Sequence, residues 1–290
     1  MPIFFLNDGT ANPPRLRYQH SLWGLRGLPI SSDKEWTLDE KFERVRQAGF
    51  EAVECWLTDE NEKEHAESLS RHGLRLVLGH RPFTLDDIHA TVRRAQRLQA
   101  DFLFMQPADA YTSLDDVVRL VVEGRKAAAD AGLPLFVEIH RNNFTETIPQ
   151  TLALIQRVPD ILFTADLSHL VLVGEFYGWE QERAEERIMP ILERTAHIHG
   201  RVSNGEQIQV DVADGSTAPA RFFVRLWSIA MRAWLRRARP GDLLPFTPEL
   251  GPPRYAITLP DGREFSDRWE QSLVMRRLAD EAWAEATASA

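Results

Sequence analysis

The stretch LFVEIHRNNFTETIPQTLALIQRVPDILFTADLSH, residues 135–169, reads as strand, helix and strand again. Leu135 to Ile139 is a short apolar run interrupted by one acid, Glu138. Ile148 to Arg157 carries the spacing of an amphipathic helix. Ile161 to Ala165 is a second apolar run, followed at once by Asp166 and three residues later by His169. Two buried strands that close on carboxylates are costly, because an isolated buried charge must be paired or bind a metal.

The same unit recurs on both sides of this stretch. Upstream, Arg17–Leu22 precedes a helix over Thr37–Ala48, and Ala52–Leu57 precedes Glu62–His72, which Gly73 stops. Leu74–Gly79 precedes Leu85–Leu98, and Asp101–Met105 precedes Ser113–Ala131, where Ser113 and Asp116 form a start resembling a capping box. Downstream, Arg183–Leu192 completes the unit begun by Ile161–Ala165. Thr195–Ile198 precedes Ala220–Arg237, and Leu244–Thr247 precedes Asp267–Ala284. Strands alternating with helices imply a parallel sheet, and eight such units predict closure into a single (β/α)8 TIM barrel. The structural rival, a doubly wound open sheet, would usually need fewer repeats, and the first turn has no GxGxxG phosphate loop. No domain boundary interrupts the pattern, so residues 15–290 are expected to be one barrel behind a partly ordered arm, residues 1–14. The segments NGEQIQVDVADG and YAITLPDGREFSD read as loop or hairpin insertions after the last two strands.

Composition narrows the function. A chain of 290 residues with a net charge of -9 lacks the basic surface of a nucleic-acid binder and suits a small-molecule substrate. The single cysteine, Cys55, excludes an internal disulfide. The first residues lack the basic start and apolar run of a signal peptide, and no apolar stretch is long enough to span a bilayer. A cytoplasmic protein with no membrane or nucleic-acid partner is the expectation.

In such barrels chemistry collects at the C-terminal ends of the strands. The residues expected there are His20 and Trp23, Glu54 and Trp56, His80 and Arg81, Gln106, then Glu138, His140 and Arg141, Asp166 and His169, His197, His199 and Arg201, and Glu249. Of nine histidines, His65, His72 and His89 fall in helices and the other six fall on this rim. A carboxylate-rich set with one imidazole favours an open site for a divalent ion over a thiolate-rich structural zinc site. Glu138, Asp166, His199 and Glu249 come from four consecutive strands, and three acids so close repel one another without a cation, so that one or more would stay protonated. His169 and His197 then orient ligands or substrate.

Four short motifs carry a resemblance. FVEIH, ADLSH, HIHGR and FTPELG occur in the order of the glutamate, D-x-x-H, H-x-H-x-K/R and glutamate motifs of the xylose isomerase-like TIM-barrel superfamily. The chain resembles that superfamily from about Arg15 to Ala284. The resemblance implies one divalent metal ion (Mn, Mg, Co, Fe or Zn) on Glu138, Asp166, His199 and Glu249. It implies Glu138 and Glu249 as the groups that exchange a proton with substrate carbon, and His169 as a substrate contact. Arg201 matches loosely, because the epimerases continue this strand with an acid after the glycine. Arg141, Arg201, His140, His80 and His20 complete the expected substrate contacts. The activity implied is that of an isomerase or epimerase acting on a small sugar, keto-sugar or polyol-derived substrate through an enediolate. The alternatives are a sugar lyase or dehydratase of the same superfamily, or an endonuclease IV-like phosphodiesterase, which the acidic balance disfavours. A barrel that merely binds a sugar has no need of four such ligands.

Each residue also has a plainer reading. Glu138 and Asp166 suit a buried salt bridge to Arg141 or to a neighbouring histidine. His20 and His80 suit satisfied rim positions. Glu54 suits a partner for an arginine in the barrel core, and this reading ranks slightly above a catalytic one. Trp23 and Trp56 suit packing as well as stacking on a sugar. Cys55 suits inert core. His197 and His199 share one face by the twofold period of a strand, and motif register selects His199. The apolar run FFVRLWSIAMRAWL covers the barrel in part and leaves the remainder for a homodimer interface.

Overall fold

The structure, a computed structural model, describes residues 5–176 and 181–288. A two-residue strand β1 (Leu6–Asn7) is followed by β2 (Arg15–Ser21), β3 (Ala52–Cys55), β4 (Arg75–His80), β5 (Leu103–Met105), β6 (Leu135–Glu138), β7 (Phe163–Ala165), β8 (Thr195–Gly200) and β9 (Asp242–Pro248). From β2 to β9 each strand pairs in parallel with the next, and β9 returns to β2 through Leu16↔Leu244 and Tyr18↔Phe246. The sheet is therefore a closed eight-stranded barrel, as the eightfold repeat predicts. Within the N-terminal arm, β1 pairs antiparallel with β9 at Leu6↔Leu243.

The outer layer consists of α1 (Leu38–Gln47), α2 (Glu62–His72), α3 (Leu85–Arg97), α4 (Leu114–Asp130), α5 (Ile148–Arg157), α6 (Leu167–Val173), α7 (Gln181–Leu192), α8 (Ala218–Leu235) and α9 (Arg268–Ala288). Local chemistry sets their starts. Thr37 with Glu40 and Thr84 with Asp87 form full capping boxes, and the Ser113 hydroxyl accepts the Asp116 amide. Sequence periodicity did not foresee the short α6, which begins one residue after Asp166. In the apolar run of α8, Phe222, Phe223, Leu226, Trp227, Met231 and Trp234 are buried within the chain, and Ile229 and Leu235 partly so.

Side chains alternate in and out of the barrel. On β2, Arg17 and Gln19 point inward, while Tyr18 reaches Asp280 on α9. Arg17 lies inside the barrel, where it binds Asp101, and Arg75 Nε donates to the same acid at 2.8 Å. Above this floor stand Phe102, Phe136 and Phe104, and above them the polar groups of the mouth. Gly79 leaves room for the edge-to-face pair of Trp56 and Phe104, since a Cβ there would lie 2.6 Å from Phe104 Cζ and 2.7 Å from Trp56 Cε2. Gly79→Ala should cost about 1–3 kcal/mol through overpacking. Urea denaturation checks this, and an unchanged midpoint would mean that the two rings yield freely.

Candidate metal centre and substrate cleft

Three polar tiers rise from the barrel interior to its C-terminal mouth. The lowest centres on Glu54 of β3. Its Oε1 accepts Gln19 Nε2 at 2.7 Å, lies 3.0 Å from His197 Nε2 and also receives the Thr247 hydroxyl. Thr164 Oγ1 lies 3.0 Å from His197 Nδ1. Burial drives the His197 pKa down to about 4 against the pull of Glu54, so the ring is neutral at pH 7. Burial opposes the charge of Glu54 as well, but His199 and His197 outweigh it and hold the acid well below the usual carboxylate range.

The middle tier centres on His199 of β8. Its Nδ1 lies 3.2 Å from Glu138 Oε1 and 3.1 Å from Glu249 Oε2, and its Nε2 lies 3.3 Å from Glu54 Oε2. Gln106 Nε2 donates to the other Glu138 oxygen at 2.8 Å. Burial would lower the His199 pKa, yet Glu249 and Glu54 raise it well above the usual imidazole value.

The upper tier centres on Arg201. Its Nε donates to Asp166 Oδ2 at 3.0 Å, one terminal nitrogen to Glu249 Oε2 at 2.7 Å and the other to Gln209 Oε1 at 3.0 Å. The guanidinium also lies 4.7 Å from the Tyr255 ring and 5.5 Å from Trp23. Asp166 caps α6, with its second oxygen taking the Ser168 amide and hydroxyl.

Glu138 Oε1, His199 Nδ1 and Glu249 Oε2 lie within 4.8 Å of one another, and Glu138 Oε1 and both His199 nitrogens lack a hydrogen-bond partner. Glu249 Oε2 also accepts from Arg201 at 2.7 Å, and the convergent set fits a divalent ion bound by two carboxylates and one imidazole. Glu54, His197 and His199 form a second group of the same span, in which Glu54 Oε1 already accepts from Gln19 and the Thr247 hydroxyl. Asp166 stands outside the converging set, and Arg201 and Ser168 donate to its oxygens.

A cleft of about 570 Å³ opens above these tiers. Glu249, Gln106 and His140 form its inner end, Trp23, Trp56 and Tyr255 supply aromatic walls, and Lys41, Asn61 and His65 line its outer part. Trp56 is 39% exposed. Arg141 covers Tyr255 at 4.7 Å. The His140 ring lies 4.1 Å from that of His169 with the planes tilted by 48°, and its pKa falls to about 4 through burial and the neighbouring His169.

Several expected substrate contacts sit elsewhere. His20 lies behind β2, against Phe50 and Trp269, because alternation gives the inward positions to Gln19 and Ser21. His80 faces a small apolar space with Ile88, Val92 and Leu103, because Gly79 takes the inward position. His169 belongs to α6 and is fully buried beneath His140, with Nε2 3.4 Å from Asp166. Arg201 spends its donors on protein groups. Glu54 partners His197, His199, Gln19 and Thr247, and among the described residues no arginine pairs with it. Period-two alternation on β2 and β4, with Gln19 and Gly79 as the inward residues, carried the signal for His20 and His80. Tyr255 and Gln209 come from insertions whose sequence has no periodicity to read.

The family model described as Xylose isomerase-like TIM barrel matches residues 42–208, more than half of the chain, and the chain belongs to that family. Among solved structures it is similar to a D-allulose 3-epimerase from Methylomonas sp., at 17% identity and a TM-score of 0.59, over 94% of this chain and 99% of that one. It is similar to a D-tagatose 3-epimerase-like protein at 14% identity and a TM-score of 0.58, over 91% and 97% of the two chains. A xylose isomerase-like TIM barrel protein from Mycobacterium smegmatis, in complex with magnesium, aligns at 13% identity and a TM-score of 0.57, over 96% and 98%. No curated protein matches the sequence. Identities this low establish the shared fold. Among the described residues no helix is long and apolar enough to cross a membrane.

Proposed function

We propose that the chain is a divalent-metal-dependent isomerase or epimerase acting on a small sugar, keto-sugar or polyol-derived substrate. One observation carries the reading: two carboxylates, Glu138 and Glu249, approach the same imidazole nitrogen at the inner end of an aromatic-walled cleft. Glu138, His199 and Glu249 would hold the ion, with Asp166 as a further donor when Arg201 releases it. When bound, the ion supplies Lewis-acid polarisation of a carbonyl.

The remaining work falls to the protein. Glu249 lines the cleft and takes the proton from the carbon beside the carbonyl. Glu138 is fully buried one layer lower, where Gln106 fixes its orientation, and it returns a proton from the opposite side when the outcome is epimerisation. His140, neutral at pH 7, contacts substrate oxygens, and Arg141 closes the rim beside Tyr255. Trp23 and Trp56 present ring faces of the kind that cover the apolar side of a sugar. The names of the epimerase relatives agree with this chemistry, as does the magnesium in the M. smegmatis relative.

Incubation with candidate keto-sugars in deuterated water tests the reading. Deuterium should enter at the carbon next to the carbonyl, and a chelator should stop the exchange. A lyase or dehydratase working through a reversible enediolate would give the same exchange with a different product, so product identification separates the two. Turnover that cleaves a phosphate ester without carbon exchange would replace the proposal with hydrolysis.

A further inference from the structure

We propose that the cleft takes a substrate of two units: a keto-sugar at its inner end and a second glycosyl unit in an outer subsite built by α1, α2 and the loop before α1. The inference rests on the isomerase reading of the inner end. Glu138, His199 and Glu249 lie on or just past β6, β8 and β9. The outer lining instead follows β2 and β3, which supply none of those three groups. A cleft of about 570 Å³ is in the range that encloses ligands of drug size, larger than one small sugar. The groups assigned to the reacting carbon and its oxygens, Glu249 and His140, occupy its inner end alone. Room and polar lining therefore continue past the reacting unit.

The chemistry of the outer end selects hydroxyl groups. Asn61 and His65 stand four residues apart at the start of α2 and share a face. Asn61 Oδ1 accepts the Thr58 amide at 2.9 Å, which leaves the side-chain NH2 without an acceptor among the described residues. His65 Nδ1 lies 2.8 Å from the Asn61 carbonyl oxygen, so the neutral ring carries its proton there and offers Nε2 as an acceptor. On α1, Lys41 is 9% exposed and pairs with Glu35; its ammonium keeps donors beyond that bond, and the carboxylate keeps lone pairs. Arg26 borders the same end. Donors and acceptors thus stand side by side. A hydroxyl group uses both, whereas a phosphate only accepts and would meet the charge of Glu35. Trp56, at the end of β3, is held edge-to-face on Phe104 and stays 39% exposed in the cleft wall, which suits the apolar face of a second sugar ring.

Initial rates of deuterium exchange compare D-fructose with maltulose and isomaltulose, two glucosyl-fructoses that keep the fructose carbonyl free. Binding energy from a remote unit is used at the reacting centre, so at least one disaccharide should show a kcat/KM about tenfold or more above that of fructose. In the double variant Asn61→Ala/His65→Ala this ratio should fall to near one, and an undiminished ratio overturns the subsite. Equal rates for all three sugars, or a preference for fructose, overturn the inference and leave the isomerase reading standing. A preference for fructose 6-phosphate over all three overturns it as well, by placing an anion in the outer end. If no sugar exchanges, saturation-transfer NMR separates the two readings. Saturable binding of a disaccharide through both rings, with none of fructose, refutes the isomerase reading and leaves only the two-unit cleft; no binding at all overturns both. If the double variant fails to fold, the wild-type ratio and ring contacts still decide.

Discussion

Glu249→Gln should slow incorporation of solvent deuterium into a keto-sugar by about 10²–10⁴-fold, the usual contribution of a positioned general base. An amide has nearly the volume of the carboxylate and cannot accept the proton. Glu249 is the carboxylate that lines the cleft, whereas Glu138 is fully buried beneath it. Glu138→Gln should therefore act more through the metal than through the exchange step. With enough manganese or magnesium to reload the site, Glu138→Gln should recover a larger share of wild-type exchange than Glu249→Gln. The measurement is the initial rate of deuterium incorporation by proton NMR across a metal titration. Equal recovery in both variants would remove the distinction between the accessible base and the buried one. Wild-type exchange in Glu249→Gln would remove the base assignment altogether.

The barrel was legible because each strand and helix obeys its own periodicity. Boundaries moved by only a few residues: Leu135–Ile139 became Leu135–Glu138, and Ile148–Arg157 did not move at all. The short α6 was hidden, because Asp166 directly follows a three-residue strand and caps a helix within the same apolar stretch. The site was legible in its composition and less so in its wiring. Glu138, His199 and Glu249 converge, as residues at the C-terminal ends of β6, β8 and β9 can when the barrel closes. Asp166 and Arg201 have the right positions along the chain, but their pairing depends on where a long guanidinium side chain settles, and periodicity says nothing about that. Glu54 looked like an ordinary core acid because its partners, Gln19, His197 and Thr247, lie on strands remote in sequence and meet only when the barrel closes.

The pairing of Arg201 with two acids leads to the second large effect. Arg201→Met should destabilise the metal-free chain at pH 7 by about 3–5 kcal/mol, the cost of leaving a buried charge without its partner. The guanidinium is 1% exposed and binds both Asp166 and Glu249. Burial opposes the charge of Asp166, and Arg201 outweighs it to hold the acid well below the usual carboxylate range. For Glu249, burial is likewise outweighed, by His199 and Arg201, and its pKa is lowered. Both acids thus have folded pKa values below their unfolded ones. Their contribution is present at neutral pH and is lost as the pH falls below the ordinary carboxylate range through the depressed values. Without Arg201 both values rise, so the deficit of the variant should shrink as the medium is acidified and the two carboxylates take up protons. Metal should offset the loss as well. Releasing Asp166 adds the fourth donor that the D-x-x-H resemblance implies, beside Glu138, His199 and Glu249. A ligand that binds only the folded state stabilises in proportion to RT ln(1 + [L]/Kd), so manganese or magnesium should raise the melting temperature of Arg201→Met by more than that of the wild type. Thermal melts at neutral and acidic pH, with and without metal, give all the comparisons. A variant that melts like the wild type and responds to neither pH nor metal would show that Asp166 and Glu249 do not depend on this arginine for their charge.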